Sequence, residues 1–94
     1  MAYKLEFHPK AYKELQKLDN SIAKFILSSL KEFIENFDEA YEAELLKSGK
    51  IKALKGEYSG FYRLRLRSYR VIYEKQERKL VILVLRIAHR KEVY

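Results

Sequence analysis

The sequence contains no cysteine and no tryptophan, and only one proline and three glycines among its 94 residues. Without cysteine there is no disulfide framework and no thiolate metal site, which fits a reducing, cytoplasmic setting. The two histidines, His8 and His89, are too few for a metal cluster of recognised spacing, so neither a metal nor another cofactor is expected. No apolar run approaches the ~18 residues of a membrane span. The longest, Leu80 to Leu85, reads as a buried strand, and no membrane is expected as a partner. The opening "MAYKLEF" alternates polar and apolar residues, so no signal peptide is expected. Repeats, low-complexity runs and linkers are also missing, which leaves one domain over residues 1–94.

What is present is a 48% apolar composition, enough to fold, and an uneven charge. Residues 1–50 hold eight Lys against nine Asp or Glu, a balance of −1. Residues 51–94 hold twelve Lys or Arg against four Glu, a balance of +8, and all seven arginines lie at or after Arg63. Arginine confined to one half of a chain suggests a phosphate-reading surface, because the planar guanidinium grips phosphate oxygens in pairs.

The hydrophobic periodicity switches at the same place. "YKLEF" (3–7) alternates like a strand, and Pro9 ends it and suits the first turn of a helix. Ala11, Leu15 and Leu18 recur at helical spacing. "DNS" (19–21) offers N-caps for a second helix. Its stripe is Ile22, Phe25, Ile26, Leu30, Phe33, Ile34 and Phe37, and it runs to about Asn36. Residues 39–47 add a possible short third helix, and Ser48 to Gly60, punctuated by Gly49, Gly56 and Gly60, reads as loop. From Phe61 the period is two. Tyr62, Leu64 and Leu66 alternate with Arg63, Arg65 and Arg67, and Tyr69, Val71 and Tyr73 with Arg70 and Ile72. "KQERK" (75–79) reads as a turn, and "LVILVLRI" (80–87), apolar on both faces, as a central strand. The expectation is an α+β domain of order β-α-α-β-β-β, with two N-terminal helices and the possible third packed on one face of a small, mainly antiparallel sheet.

A hairpin turn at Arg67–Ser68 sets Leu66 against Tyr69, Arg65 against Arg70, Leu64 against Val71 and Tyr62 against Tyr73. The apolar pairs then face the helices, and Arg63, Arg65 and Arg70 share the other face. Like charges directly opposite are unfavourable in a sheet, so folding alone does not select this pairing, whereas an anionic ligand relieves it. The turn is chemically poor, since no glycine supplies a positive φ, and a longer turn of the same parity would also keep the arginines together. "RIAHRKEVY" (86–94) adds Arg86, His89, Arg90, Lys91 and Tyr94. They are expected near the arginine face if the last strand pairs beside residues 69–75.

With "FHPKAYKELQKL", "LKGEYSGFYRLRLRSYRVIY" and the closing "VLRIAHRKEVY", the chain resembles the RelE toxins of the RelE/ParE toxin–antitoxin superfamily over essentially its whole length. The arginine-rich hairpin together with HR-x-x-x-Y is the specific part of the match. The resemblance implies a ribosome-dependent endoribonuclease (an mRNA interferase) that cuts mRNA in the ribosomal A site and inhibits translation. It also implies a RelB-like antitoxin that wraps the toxin, and binding of operator DNA only as the toxin–antitoxin complex. The family's basic positions on the first hairpin strand fall on Arg63 and Arg65, where lysine is often found. Its arginine on the second strand falls on Arg70, its arginine after the last strand on Arg90, and its C-terminal tyrosine on Tyr94. The chain ends at this tyrosine, where relatives often continue, so its terminal carboxylate is expected beside the proposed phosphate site.

The chemistry so implied is metal-independent attack by the RNA's own 2′-hydroxyl. It needs a proton acceptor, a proton donor and cations for the extra charge of the phosphorane. Arg63, Arg65, Arg70 and Arg90 suit the third role but are poor bases, since arginine titrates above ~12. His89, with a reference pKa of about 6.5, suits proton transfer. Tyr94 could stack on a base, orient the 2′-OH or share the proton transfer. Lys52, Lys55, Arg67, Arg86 and Lys91 are expected to bind ribosomal RNA more loosely. Two other readings compete, a ParE-type inhibitor of DNA gyrase and a non-catalytic nucleic-acid-binding module supported by charge alone.

Overall fold

The computed structural model describes residues 2–92. Strand β1 (Lys4–Phe7) is followed by helices α1 (Pro9–Gln16), α2 (Asn20–Asn36) and α3 (Glu39–Ser48). Strands β2 (Ile51–Ala53), β3 (Phe61–Leu66), β4 (Tyr69–Gln76) and β5 (Val81–His89) complete the chain, with a single 3-10 turn at Gly56–Tyr58. The five strands form one sheet in the order β1-β5-β4-β3-β2; β1 runs parallel to β5 and every other pairing is antiparallel. This is the expected α+β architecture with the third helix formed and one strand more. The segment read as loop contains β2, which pairs Ile51 with Leu64 and Ala53 with Tyr62. Three residues are too few to display a period.

Local chemistry explains the helix boundaries. Pro9 opens α1, and His8 caps it by accepting the Lys10 N–H at Nδ1 (3.1 Å). Asp38 caps α3 through the Tyr41 N–H at 2.8 Å, satisfying one of the amides that a helix start leaves unpaired. Gly49 closes α3 at φ 85°, a left-handed conformation open to glycine. The α2 stripe is the core's outer wall: Ile26, Leu30 and Phe33 are buried against Leu64, Leu66, Val71, Tyr73, Ile82, Val84 and Ile87 of the sheet. Tyr73 lies fully buried at the centre, stacked on Tyr62 (centroids 5.4 Å apart) and tilted against Phe33 at 5.7 Å.

Two ion pairs fasten the helices to the sheet. Lys75 donates to both carboxylate oxygens of Glu42 on α3, at 2.9 and 3.0 Å, with the two side chains only 15% and 12% exposed. On the other side, β1 covers β5 only as far as Val84. Beyond it, Glu14 of α1 accepts the Ile87 N–H (2.9 Å) and takes the Arg86 guanidinium through Nε (3.1 Å) and Nη2 (2.9 Å). A carboxylate so placed satisfies an edge amide that would otherwise invite a foreign strand. Its hydrogen bonds hold the Arg86 pKa above the ordinary value despite partial burial.

The Glu42–Lys75 pair and Tyr73 make two predictions. Removing one partner of a buried pair leaves the other charged and unpaired, so Lys75→Ala should cost about 3 kcal/mol in urea unfolding. Glu42→Leu combined with Lys75→Leu should recover most of that loss; additive single losses would show that the pair is not coupled. The Tyr73 hydroxyl is buried without a hydrogen-bond partner among the described residues. Tyr73→Phe should therefore be neutral or stabilising by up to about 1 kcal/mol at pH 7. Burial, then Glu42 and Tyr62, raise the Tyr73 pKa. Burial lowers that of Lys75, but its hydrogen bond with Glu42 and the surrounding charges outweigh this, and the net shift is upward. Groups with raised folded-state values stabilise fully below their ordinary pKa, and that contribution fades as pH rises through the folded value. Stability should thus fall above the ordinary values of 10.0 and 10.5, and Tyr73→Phe should blunt that fall in an alkaline unfolding series.

Candidate functional site

The hairpin has the register expected of it: Leu66 opposite Tyr69, Arg65 opposite Arg70, Leu64 opposite Val71 and Tyr62 opposite Tyr73. The apolar members pack under the helices, and the arginines occupy the open face. The Arg65 N–H bonds the Lys50 carbonyl across to the β2 side (2.9 Å). Arg65 and Arg70 are therefore a non-hydrogen-bonded pair, with Cα atoms about 4.5 Å apart, the geometry that brings cross-strand side chains closest. On β2, Lys52 stands opposite Arg63. The open face thus carries a row of cations across three strands.

Main-chain carbonyls hold two of these cations. Arg63 Nη2 donates to the Gly49 carbonyl at 2.8 Å, while its Nε is buried without a partner among the described residues. Arg70 Nη1 donates to the carbonyls of Arg67 (2.8 Å) and Tyr69 (3.0 Å). Arg65 is exposed. Lys52, Arg63, Arg65 and Arg70 are the predicted residues that the fold brings together. Lys55 is exposed just beyond β2, and Arg90 and Lys91 are exposed just beyond β5. The Arg90 N–H bonds the Ser68 carbonyl of the hairpin turn at 2.7 Å.

Three other predicted residues are otherwise engaged. Arg86 is bound to Glu14. Arg67 places its guanidinium carbon 3.9 Å from the centroid of Phe25 on α2. His89 pairs with Tyr69 and packs edge-on against that ring at 5.5 Å, on the helix side of the sheet. The cause is a bulge: Ile72 pairs with Arg86 but Tyr73 with Val84, so Leu85 is an extra residue in β5. One extra residue reverses which face each later side chain takes, and it turns His89 away from the arginine row. His89 Nδ1 accepts the Lys91 N–H (3.3 Å), and the ring borders a cleft of about 290 Å³ with Glu14, Lys17, Tyr69 and Glu92. Tyr94 lies outside the described residues.

The open face also holds a feature that charge-centred reading passed over. Tyr58, Phe61, Ile72 and Leu85, with His8 and Arg86 at the rim, line an apolar groove of about 220 Å³. Ile72 is two residues along β4 from Arg70, about 7 Å. The signal was the interleaving of Phe61 and Ile72 with the arginines on the same strand face. A cationic row beside an apolar groove can hold phosphates and cover an apolar or planar group next to them.

Comparison with known proteins agrees with this architecture. A family profile described as the ParE toxin of type II toxin–antitoxin systems matches residues 5–94. A putative RelE-like toxin protein of Escherichia coli is 29% identical over 91 residues, covering 97% of this chain and 86% of that protein. The archaeal RelE–RelB complex from Pyrococcus horikoshii superposes with a TM-score of 0.71 at 27% identity, over 99% of this chain and 100% of the other. The isolated Escherichia coli RelE toxin gives 0.67 at 27% identity, over 94% and 84%. The chain, with its helix-backed sheet and cationic open face, belongs to the RelE/ParE superfamily of toxins from type II toxin–antitoxin systems.

Proposed function

We propose that this toxin is a ribosome-dependent endoribonuclease, cleaving mRNA in the ribosomal A site through attack by the RNA's own 2′-hydroxyl and so halting translation. The observation that carries this reading is Arg65 standing directly opposite Arg70 on the solvent face of the hairpin. Two guanidinium groups in register on adjacent strands present paired positive charge suited to a dianionic phosphorane. Arg70, ordered by two carbonyls, supplies a preorganised charge; Arg65 supplies a second that settles when phosphate arrives. Arg90, beyond the turn, is the third cation of the proposed set, with Arg63 braced behind them. Lys52, Lys55 and Lys91 hold ribosomal RNA.

The division of the sheet into two faces gives ribosome dependence a physical reason. Arginine does not accept protons near neutral pH, and His89 is on the helix side. Glu74, on β4 and the same face as the arginines, is four residues from Arg70, about 13 Å along the strand. Tyr94 or groups of the ribosome itself then complete the proton transfer. A RelB-like antitoxin with acidic residues fits over the same face, and the pair would bind operator DNA together. Among the described residues no helix is long and apolar enough to cross a membrane; a cytoplasmic toxin is the reading proposed.

A second reading, inhibition of DNA gyrase, is favoured by the ParE description of the matching family profile and by the absence of His89 from the arginine face. Purified toxin added to programmed ribosomes should cut mRNA in the A site and leave free RNA largely intact. Equal cleavage of free RNA would remove the ribosome from the mechanism, and intact mRNA with trapped gyrase–DNA cleavage complexes would establish the second reading.

Arg70→Ala and Arg90→Ala should each lower single-turnover cleavage on saturating ribosomes by ~100-fold or more, the range for a lost oxyanion-type donor. Ribosome affinity should change little. Lys55→Ala or Lys91→Ala should instead weaken binding and reduce its salt dependence by about one charge. Arg65→Ala should abolish most activity yet leave thermal stability unchanged or higher, because it removes the like-charge opposition. A large loss of stability in Arg65→Ala would make that arginine structural.

A further inference from the structure

The hairpin turn connects the proposed cations to helix α2. Arg67 and Ser68 make a two-residue turn without glycine, and Arg67 takes φ 56°. That is a left-handed conformation which an ordinary side chain adopts at a cost, so something must hold it. The Arg67 guanidinium lies 3.9 Å from the centroid of the Phe25 ring, within cation–π range. Beside the contact, Ser21, Ile22, Phe25, Arg67, Ser68 and Tyr69 line an open groove of about 210 Å³. The turn is thus not packed on every side, and it has room to move if Arg67 is released. The carbonyl of Arg67 accepts Arg70 Nη1 (2.8 Å), and that of Ser68 accepts the Arg90 N–H (2.7 Å). One turn therefore contributes to the direction of Arg70 and ties down the chain where it leaves β5 at Arg90.

We propose that Phe25 is a positioning residue for the arginine face. By holding Arg67 it fixes the hairpin turn, and through the two turn carbonyls it fixes where Arg70 and Arg90 meet a phosphate. Arg67 acts in this as a clamp between α2 and the hairpin. This rests on the nuclease reading for its kinetic consequence, but not for its structural one.

The test uses Phe25→Leu, which keeps an apolar side chain but removes the π face, and Phe25→Tyr, which keeps that face. Arg67→Gln breaks the same contact from the exposed side without touching the core. Phe25→Leu and Arg67→Gln should each lower single-turnover cleavage on saturating ribosomes about tenfold, with ribosome affinity within about twofold. Phe25→Tyr should cleave at the wild-type rate. Independently of activity, amide exchange at Arg90 should rise about tenfold in Phe25→Leu and Arg67→Gln, while that of Val84, further along β5, stays unchanged.

If wild-type protein does not cleave, the nuclease reading fails and the exchange data still decide the clamp. Unchanged exchange at Arg90 in both contact-breaking variants overturns the proposal. So does a Phe25→Tyr variant as impaired as Phe25→Leu, which would make Phe25 a shape-filling residue only. A lowered melting temperature with wild-type cleavage per folded molecule also overturns it.

Discussion

The extra residue in β5 constrains everything the sheet presents. β5 lies between β1 and β4, so its side chains must satisfy the helix-side core and the open face at once. Up to Val84 its even-numbered residues point to the helices; after Leu85 the odd-numbered ones do, because the bulge opposite Ile72 and Tyr73 shifts the parity. Ile82, Val84 and Ile87 can then all be buried in one core, which strict alternation forbids. Leu85 and Ala88 join Phe61 and Ile72 in a second apolar cluster on the open face. The same shift carries His89 to the helix side, against Tyr69. A single inserted residue thus decides the core, the open-face groove and the residue types that can share a site with the arginines.

The open face tolerates its charge in a graded way. Main-chain carbonyls, which carry a dipole but no net charge, accept hydrogen bonds from Arg63 and Arg70. A carboxylate in the place of the Gly49 carbonyl would cancel the charge of Arg63 and lower the local positive potential. Arg65, on the same face, is exposed to solvent. Arg86, by contrast, has a bidentate carboxylate partner in Glu14. The surroundings, more than the residue type, separate an arginine paired with a carboxylate from one left exposed.

Much of this was legible in the sequence and some was not. The α2 stripe, the central strand and the hairpin register followed from period and parity, because each rests on side chains that must reach one buried surface. The opposition of Arg65 and Arg70 followed from the same parity. β2 did not, since three residues between glycines carry no measurable alternation. The facing of His89 did not either: a bulge is a backbone event inside a uniformly apolar run, where shifting the parity changes no residue's hydrophobicity. The positive φ of Arg67 was equally hidden, because the turn lacks the glycine that announces such a conformation, and its compensating contact comes from a helix more than forty residues away.

The uneven charge of the two halves gains a structural meaning from these contacts. The acidic first half and the basic second half are not separate bodies; α1 and α3 lie against the sheet and deliver Glu14 and Glu42 to Arg86 and Lys75. Both cations are partly covered, Lys75 at 15% and Arg86 at 33% side-chain exposure, where an unpaired charge is costly. Lys52 of β2 and Arg65 of β3 stay exposed on the open face, where water screens their charge. Folding therefore neutralises Lys75 and Arg86 against the helices that reach them. The proposed complement of that face, an RNA phosphate chain or the acidic segment of an antitoxin, follows from the row of cations its three strands present.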